Sequence, residues 1–168
     1  MVYQATAQSN NGMHPTRVTL PVINLNHSGG RVMPGVRHLR VTEPTMKYAT
    51  IISQAHELAR PLVTSEDCRA ASVGAVIISS SGRMYTGVCL DFACGIGFCA
   101  EHAAVAEMLK GRESQIALVV AVNESGEVLP PCGRCREMMW QLNPANRDAL
   151  VVLAAENALP LRELLPYR

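Results

Sequence analysis

The sequence predicts an α/β protein, a three-layer α/β/α sandwich built around a mixed sheet. Three observations predict it. Strand-like apolar runs alternate with amphipathic helical runs late in the chain, an order that implies a parallel section of sheet covered on both faces. The earlier runs "SVGAVIIS" and "RMYTGVCL" are separated by a short turn, "SSSG", and so form an antiparallel hairpin. The run "IALVVAVN" is apolar without interruption, as in a strand buried on both sides.

The elements follow in order. Residues 1–45 mix Asn, Gly, Ser and Pro with arginines, and Glu43 is their only acid. This reads as an irregular arm with at most a short strand around Arg17–Leu20. Its prolines break up the amphipathic helix that an organelle-targeting leader requires, and Met46 is an alternative natural start. Residues 46–168 then read as one domain. Ile51, Ile52, Ala55, Leu58 and Leu62 recur at helical spacing, which predicts a first helix ending near Pro61. The hairpin comes next. A helix from about Cys99 to Lys110 follows, packed through Ala103, Val105, Ala106 and Leu109. After "IALVVAVN" and the "ESGE" turn, Pro131 opens a helix carrying Met138, Met139, Trp140 and Leu142. "ALVVLAA" reads as a further strand and "LRELL" as a short final helix.

Composition narrows the functional classes. A chain of 168 residues that is 48% hydrophobic can bury one sizeable core. Its net charge of +1, with no basic stripe, argues against a nucleic-acid partner held by phosphates. No apolar run is long enough to cross a bilayer. Residues 1–30 lack a continuous hydrophobic segment, so a reducing, cytoplasmic compartment is expected and disulfides are not. Six cysteines therefore point toward metal or reactive thiols.

Two segments carry the chemistry. In "LPPCGRCRE", Cys132 and Cys135 stand three apart at a helix start, which puts both sulfurs on one face beside free backbone N–H groups. In "GFCAEHAA", Cys99 begins the preceding helix. If the two strands leading into these helices are adjacent and parallel, both helix starts share one sheet edge and three thiolates converge. Three cysteine ligands leave a tetrahedral zinc with one open corner, the arrangement of a catalytic site. Zinc lowers the pKa of a bound water until hydroxide forms near neutrality. Glu101, two residues after Cys99, is placed to carry that proton to a ring nitrogen and then to a leaving amine.

Cys99-Ala100-Glu101 with Pro131-Cys132-Gly133-Arg134-Cys135 is a zinc-deaminase signature. On these residues the chain resembles the cytidine deaminase family over roughly residues 46–168. The similarity is greatest to its small-molecule branch, which includes blasticidin S deaminase, and "PCGRCRE" and the terminal "LRELLP" contribute to it. The resemblance implies a cytidine deaminase-like fold, one zinc per chain and hydrolysis of a cyclic amidine C–N bond in a free cytidine-like nucleoside. It also implies a homotetramer, with no membrane partner.

Some positions depart from the family pattern. Where the family carries an Asn-x-Glu pair for the ribose, this chain has Cys89 and Asp91. Asp91 can still accept hydrogen bonds, but a thiol does not replace an amide. Ala100, Cys89 and Asp91 are the candidate substrate contacts. The aromatic residue that often stacks on the pyrimidine is absent, because Ala71-Ser72 occupies its region. These departures leave a blasticidin S-like or otherwise modified nucleoside as an alternative substrate.

His102 stands where the family commonly has an arginine that contacts the ligand sulfurs. With Arg134 and Arg136, it is a candidate to offset the net negative charge of zinc with three thiolates. Since histidine titrates near about pH 6.5, His102 would also make the site's acidity pH-dependent. The glycines of "CGIGF" either admit a flat ring close to the backbone or simply make a turn. Two readings from other classes remain: a non-catalytic zinc-binding protein, and a thiol redox protein using Cys132 and Cys135. Cys68, Cys89 and Cys94 read as non-ligands, with burial the favoured account of Cys89 and Cys94. His14, His27 and His38 read as solvated, His56 as a surface residue, and "EMMW" as core or subunit interface.

Overall fold

A computed structural model describes residues 47–167. The expected arm 1–45 lies outside the described residues, and with it the strand at Arg17–Leu20, the histidines 14, 27 and 38 and the alternative start at Met46. The chain forms α1 (Ala49–Leu58), β1 (Leu62–Ser65), β2 (Cys68–Ser79), β3 (Met84–Phe92), α2 (Ala100–Lys110) and β4 (Ile116–Asn123). It continues through α3 (Gly133–Leu142), a 3₁₀ turn at Pro144–Asp148, β5 (Leu150–Ala154), β6 (Asn157–Pro160) and a 3₁₀ turn at Leu161–Leu164. None of the described helices is long and apolar enough to cross a membrane.

The sheet is mixed, as expected. β2 pairs antiparallel with both β3 and β4, β4 pairs parallel with β5, and β5 pairs antiparallel with β6. Strand alternation sorts the core into two layers. Ala75, Ile77, Val119, Ala121 and Val151 face the side covered by α2 and α3. Val76, Ile78, Leu118, Val120, Val122 and Val152 face the side covered by α1. Because β2, β4 and β5 are buried on both faces, these strands read as unbroken apolar runs.

Five expectations need correction, the first being the packing of α2, which buries Ala104, Val105 and Met108 while Ala106 and Leu109 are exposed. The first helix stops at Leu58, because Pro61 disfavours helical geometry at Arg60. Leu62, counted among its apolar positions, instead lies in β1 and is 57% exposed. Strands β1 and β6 were not expected: each is four residues long, and neither carries an alternating apolar pattern. Pro131 lies outside α3, which begins at Gly133 with Cys132 as its N-cap residue. The final "LRELL" segment is a 3₁₀ turn rather than an α-helix.

The α2 helix is seated by a missing side chain. A Cβ on Gly87 of β3 would lie 2.4 Å from both the Ala100 carbonyl oxygen and the Ala104 nitrogen. Only glycine lets the first turn of α2 approach this strand so closely. Glu107 adds a second tie by accepting the Thr86 backbone N–H at 2.6 Å. Gly87→Ala is expected to displace that turn and destabilise the fold by about 1–3 kcal/mol. Urea unfolding measures this, and an unchanged midpoint would contradict it.

A second brace is Asn146, which is fully buried. Its Oδ1 accepts the Ile116 N–H at 2.7 Å, while its Nδ2 donates to the Met139 and Ser114 carbonyls at 3.0 and 3.1 Å. One side chain thus joins the end of α3 to the start of β4. Asn146→Ala would leave these backbone groups unpaired, at an expected cost of about 3 kcal/mol in the same assay.

Candidate active site

Both chemistry-bearing segments lie where a strand hands over to a helix. Cys99 is the N-cap residue of α2, and Cys132 is the N-cap residue of α3, each with extended backbone. Cys135 follows one turn later and is fully buried. The strands leading in, β3 and β4, run in the same direction, so both helices start at one edge of the sheet. They are not adjacent, as the sequence suggested, because β2 lies between them and pairs antiparallel with each. Convergence needs only the shared direction.

The sulfurs do converge. Cys99 Sγ lies 3.6 Å from Cys132 Sγ, which lies 3.5 Å from Cys135 Sγ. Tetrahedral zinc with Zn–S bonds of about 2.3 Å separates its sulfurs by about 3.8 Å, so these spacings fit the group. A fourth donor stands close by: His102 Nδ1 is 3.5 Å from Cys135 Sγ. Cys99, His102 and Cys135 bring their donor atoms within 4.8 Å of one another. Two ligand sets therefore share Cys99 and Cys135 and differ in whether Cys132 or His102 is the third member.

Burial pushes the Cys99 thiol above its ordinary pKa, and burial followed by the Glu101 charge does the same to Cys135. Burial also opposes ionisation of Cys132, but the backbone N–H groups of Cys135 and Arg134 and the neighbouring thiols outweigh it and lower that pKa. Two of the three sulfurs thus hold their protons until a metal displaces them. His102 is held below its ordinary pKa by burial and then by the Arg134 charge. That opposes a histidine titrating at the usual value.

Glu101, in the first turn of α2, is only 4% exposed yet lines a cavity of about 440 Å³. Ser72, Asp91, Phe98, Cys99 and Cys132 share this wall. The volume lies within the range of about 300–1,000 Å³ common for small-molecule sites. Ala100 also lines the cavity and is otherwise fully buried. Although Ala71 and Ser72 stand where an aromatic was sought, both phenylalanines of the chain, Phe92 and Phe98, reach the cavity.

Cys89 and Asp91 have different positions. Between the pairs Ala70↔Leu90 and Gly74↔Val88, three residues of β2 stand opposite Cys89 alone. Ala71 adopts φ 58° within this bulge, a conformation uncommon for residues other than glycine. Cys89 Sγ accepts the Val73 N–H at 3.2 Å and lies 3.1 Å from Ser72 Oγ. Cys89 is 5% exposed, and its sulfur stabilises the bulge. Asp91 is exposed, and its Oδ2 accepts from Ser72 Oγ at 3.3 Å. Sequence reasoning treated Ser72 only as the place of a missing aromatic. Its role was hidden because a bulge defeats register counting from the turn.

The remaining residues are placed as follows. Arg134 extends its Nε toward His102 Nε2 and its Nη2 toward the Gly97 carbonyl, each at 3.4 Å. Arg136 donates to the Pro131 and Leu164 carbonyls at 2.7 and 3.3 Å, tying the ligand loop to the C-terminal turn. A Cβ on Gly97 would lie 2.5 Å from the Leu90 carbonyl oxygen, so this glycine admits the chain's own backbone. Cys94 is exposed on the cavity wall rather than buried. His56 is exposed and reaches the Glu124 carbonyl, while Met139 of "EMMW" is fully buried.

Comparison with known proteins agrees with this geometry. Residues 47–151 match the family model for the cytidine and deoxycytidylate deaminase zinc-binding region. The chain is similar to cytidine deaminase of Mycobacterium tuberculosis, 33% identical over 71 residues, which are 42% of this chain and 53% of that protein. It is also similar to cytidine deaminase of Halalkalibacterium halodurans, 29% identical over 75 residues, or 44% and 57% of the two chains. The chain thus spans about half the length of the curated relatives it matches. A crystal structure of cytidine deaminase from Mycobacterium tuberculosis superposes with a TM-score of 0.60 at 26% identity, over 71% of this chain and 94% of that one. The match covers both helix starts and every cysteine around the cavity, and the chain belongs to the cytidine and deoxycytidylate deaminase zinc-binding family.

Proposed function

We propose that this protein is a zinc-dependent aminohydrolase acting on a free, cytidine-like nucleoside. The observation that carries the proposal is a buried carboxylate, Glu101, beside three converging sulfurs on the wall of a nucleoside-sized cavity. A structural zinc site has no use for such a carboxylate, and a redox pair needs no third cysteine.

Zinc, when bound, acidifies a water and polarises it for attack on the ring carbon. The chain's residues do the rest. Cys99, Cys132 and Cys135 would hold the metal at the starts of α2 and α3, and Glu101 would hold the proton released by the water. Glu101 delivers it to the ring nitrogen beside the reacting carbon and then to the departing amine. Phe92 and Phe98 offer apolar contact to the base, Ala100 contributes to the wall beneath it, and Asp91 is an acceptor for a sugar hydroxyl. Arg136 fixes the Pro131 carbonyl and through it the approach to Cys132. We take residues 46–168 as the catalytic unit, a homotetramer in the cytoplasm as its working form, and residues 1–45 as an arm outside it.

A second reading, a blasticidin S-like or otherwise modified nucleoside, is favoured by one observation. Cys89 is engaged with the bulge and leaves Asp91 and Ser72 as the polar pair at the sugar end. An ammonia-release screen across cytidine, deoxycytidine, adenosine, guanosine and blasticidin S tests both readings. Release from the first two supports the leading reading, and release from blasticidin S alone supports the second. Zinc-loaded protein inactive on all of them would overturn both.

A further inference from the structure

We propose that Ser72, Cys89 and Asp91 make the sugar end of the cavity a reader of hydrogen-bond donors, so that it takes a hydroxyl or an amine on the substrate and rejects an ether or a bare carbon. The inference rests on the nucleoside reading of the cavity and goes beyond it by stating which groups the sugar must carry.

All three residues lie on the cavity wall. The only polar hydrogens their side chains hold are one on the Ser72 hydroxyl and one on the Cys89 thiol, because a carboxylate accepts and does not donate. Both hydrogens are used within the group. The Ser72 hydroxyl donates to Asp91 Oδ2 at 3.3 Å. With that hydrogen committed, the 3.1 Å contact between Ser72 Oγ and Cys89 Sγ is the thiol donating to the hydroxyl oxygen. The other acceptor within reach of the thiol is again Asp91 Oδ2, at 3.8 Å. The bonds therefore run from Cys89 to Ser72 to Asp91 and end on a carboxylate. Asp91 is exposed, and its Oδ1 accepts from none of the described residues. What these side chains offer a ligand is acceptors alone.

The fold keeps the arrangement in place. The Val73 N–H donates to Cys89 Sγ at 3.2 Å, and the bulge in β2 sets Ser72 and Val73 against that one sulfur. Cys89 is too deeply buried to turn its thiol toward a ligand without breaking the bulge. No cation competes for Asp91 among the described residues. Arg69, its partner across the ladder, forms no ion pair with it and does not line the cavity. Arg134 does line the cavity, with Nε directed at His102 and Nη2 at the Gly97 carbonyl. A hydroxyl or amine placed against Asp91 thus gains a charge-assisted hydrogen bond, whereas an ether oxygen meets another acceptor.

The test is titration calorimetry on the zinc-loaded full chain carrying Glu101→Gln, which separates binding from turnover. The ligands are cytidine and analogues in which each sugar hydroxyl in turn is replaced by hydrogen, methoxy or amino. At one hydroxyl position, hydrogen and methoxy are expected to weaken binding by about tenfold or more, while the amine binds at least as well as the hydroxyl. Methoxy binding as tightly as hydroxyl at every position, or an amine losing as much as methoxy, would overturn the inference. Asp91→Asn, added to the same chain, supplies an amide that donates as well as accepts. The preference for hydroxyl over methoxy should then fall below about threefold, and an unchanged preference would overturn Asp91 as the reader. Ser72→Ala should keep the preference, because Asp91 remains an acceptor, and its loss would overturn the assignment by making Ser72 the reader. Protein that binds neither cytidine nor any analogue would overturn the nucleoside reading and this inference with it. The expected binding pattern beside a wild-type chain that releases no ammonia would support the inference and overturn the deaminase reading alone.

Discussion

Replacing Glu101 by glutamine is expected to cut ammonia release by about 10²–10⁴-fold, the usual contribution of a positioned acid–base group. That corresponds to about 3–5 kcal/mol of transition-state stabilisation. Glutamine preserves the shape of the side chain, so the first turn of α2 and its packing against Gly87 stay in place. What disappears is a group able to hold a proton between its removal from water and its delivery to the base. The substitution should not cost metal. The Glu101 charge is one of the influences that raise the Cys99 and Cys135 pKa values, so its removal makes those thiols easier to ionise. Steady-state kinetics and metal analysis on the same sample separate the effects. Full activity in the glutamine variant would end the proton-carrier role, and loss of zinc would make Glu101 a structural residue instead.

Cys135→Ser should abolish activity and reduce zinc from about one per chain to a small fraction. This sulfur is common to both possible ligand sets, and it is the one buried completely. Zinc bound only by the native state stabilises it by about 2.7 kcal/mol when free metal is a hundredfold above its dissociation constant. Added zinc should therefore raise the melting temperature of the wild-type chain and leave that of the serine variant unchanged. Cys132→Ser makes the useful contrast. Cys132 is exposed, so its replacement should lose zinc without disturbing the packing around Met139. A Cys135→Ser protein that keeps full zinc occupancy would remove Cys135 from the site. Metal uptake should also release protons, because coordination deprotonates the thiols, and zinc affinity should fall as the solution is acidified.

Much of this was visible in the residues themselves. Apolar runs such as "IALVVAVN" announce a doubly buried strand because β4 is covered on both faces. Cys99, Glu101, Cys132 and Cys135 were legible as a set because each reactive group falls at the N-cap or in the first turn of a helix, where spacing and backbone are tightly constrained. Strands β1 and β6 were not legible, since four-residue strands rely on their neighbours' hydrogen bonds rather than on an apolar pattern. The roles of Ser72 and Cys89 were equally hidden. They follow from a bulge that changes the register of β2 against β3, and no local pattern encodes it.

His102 marks the boundary between the two kinds of information. Sequence alone determined the alternation of strands and helices and marked the cysteines and the carboxylate proposed for the zinc site, because periodicity and spacing act within a few residues. Only the tertiary structure decided that β2 separates β3 from β4, that Cys89 belongs to a bulge, and that Arg134 meets His102 from another helix. Those outcomes depend on hydrogen bonds and steric contacts between distant segments, which form only once the sheet has brought the two helix starts together.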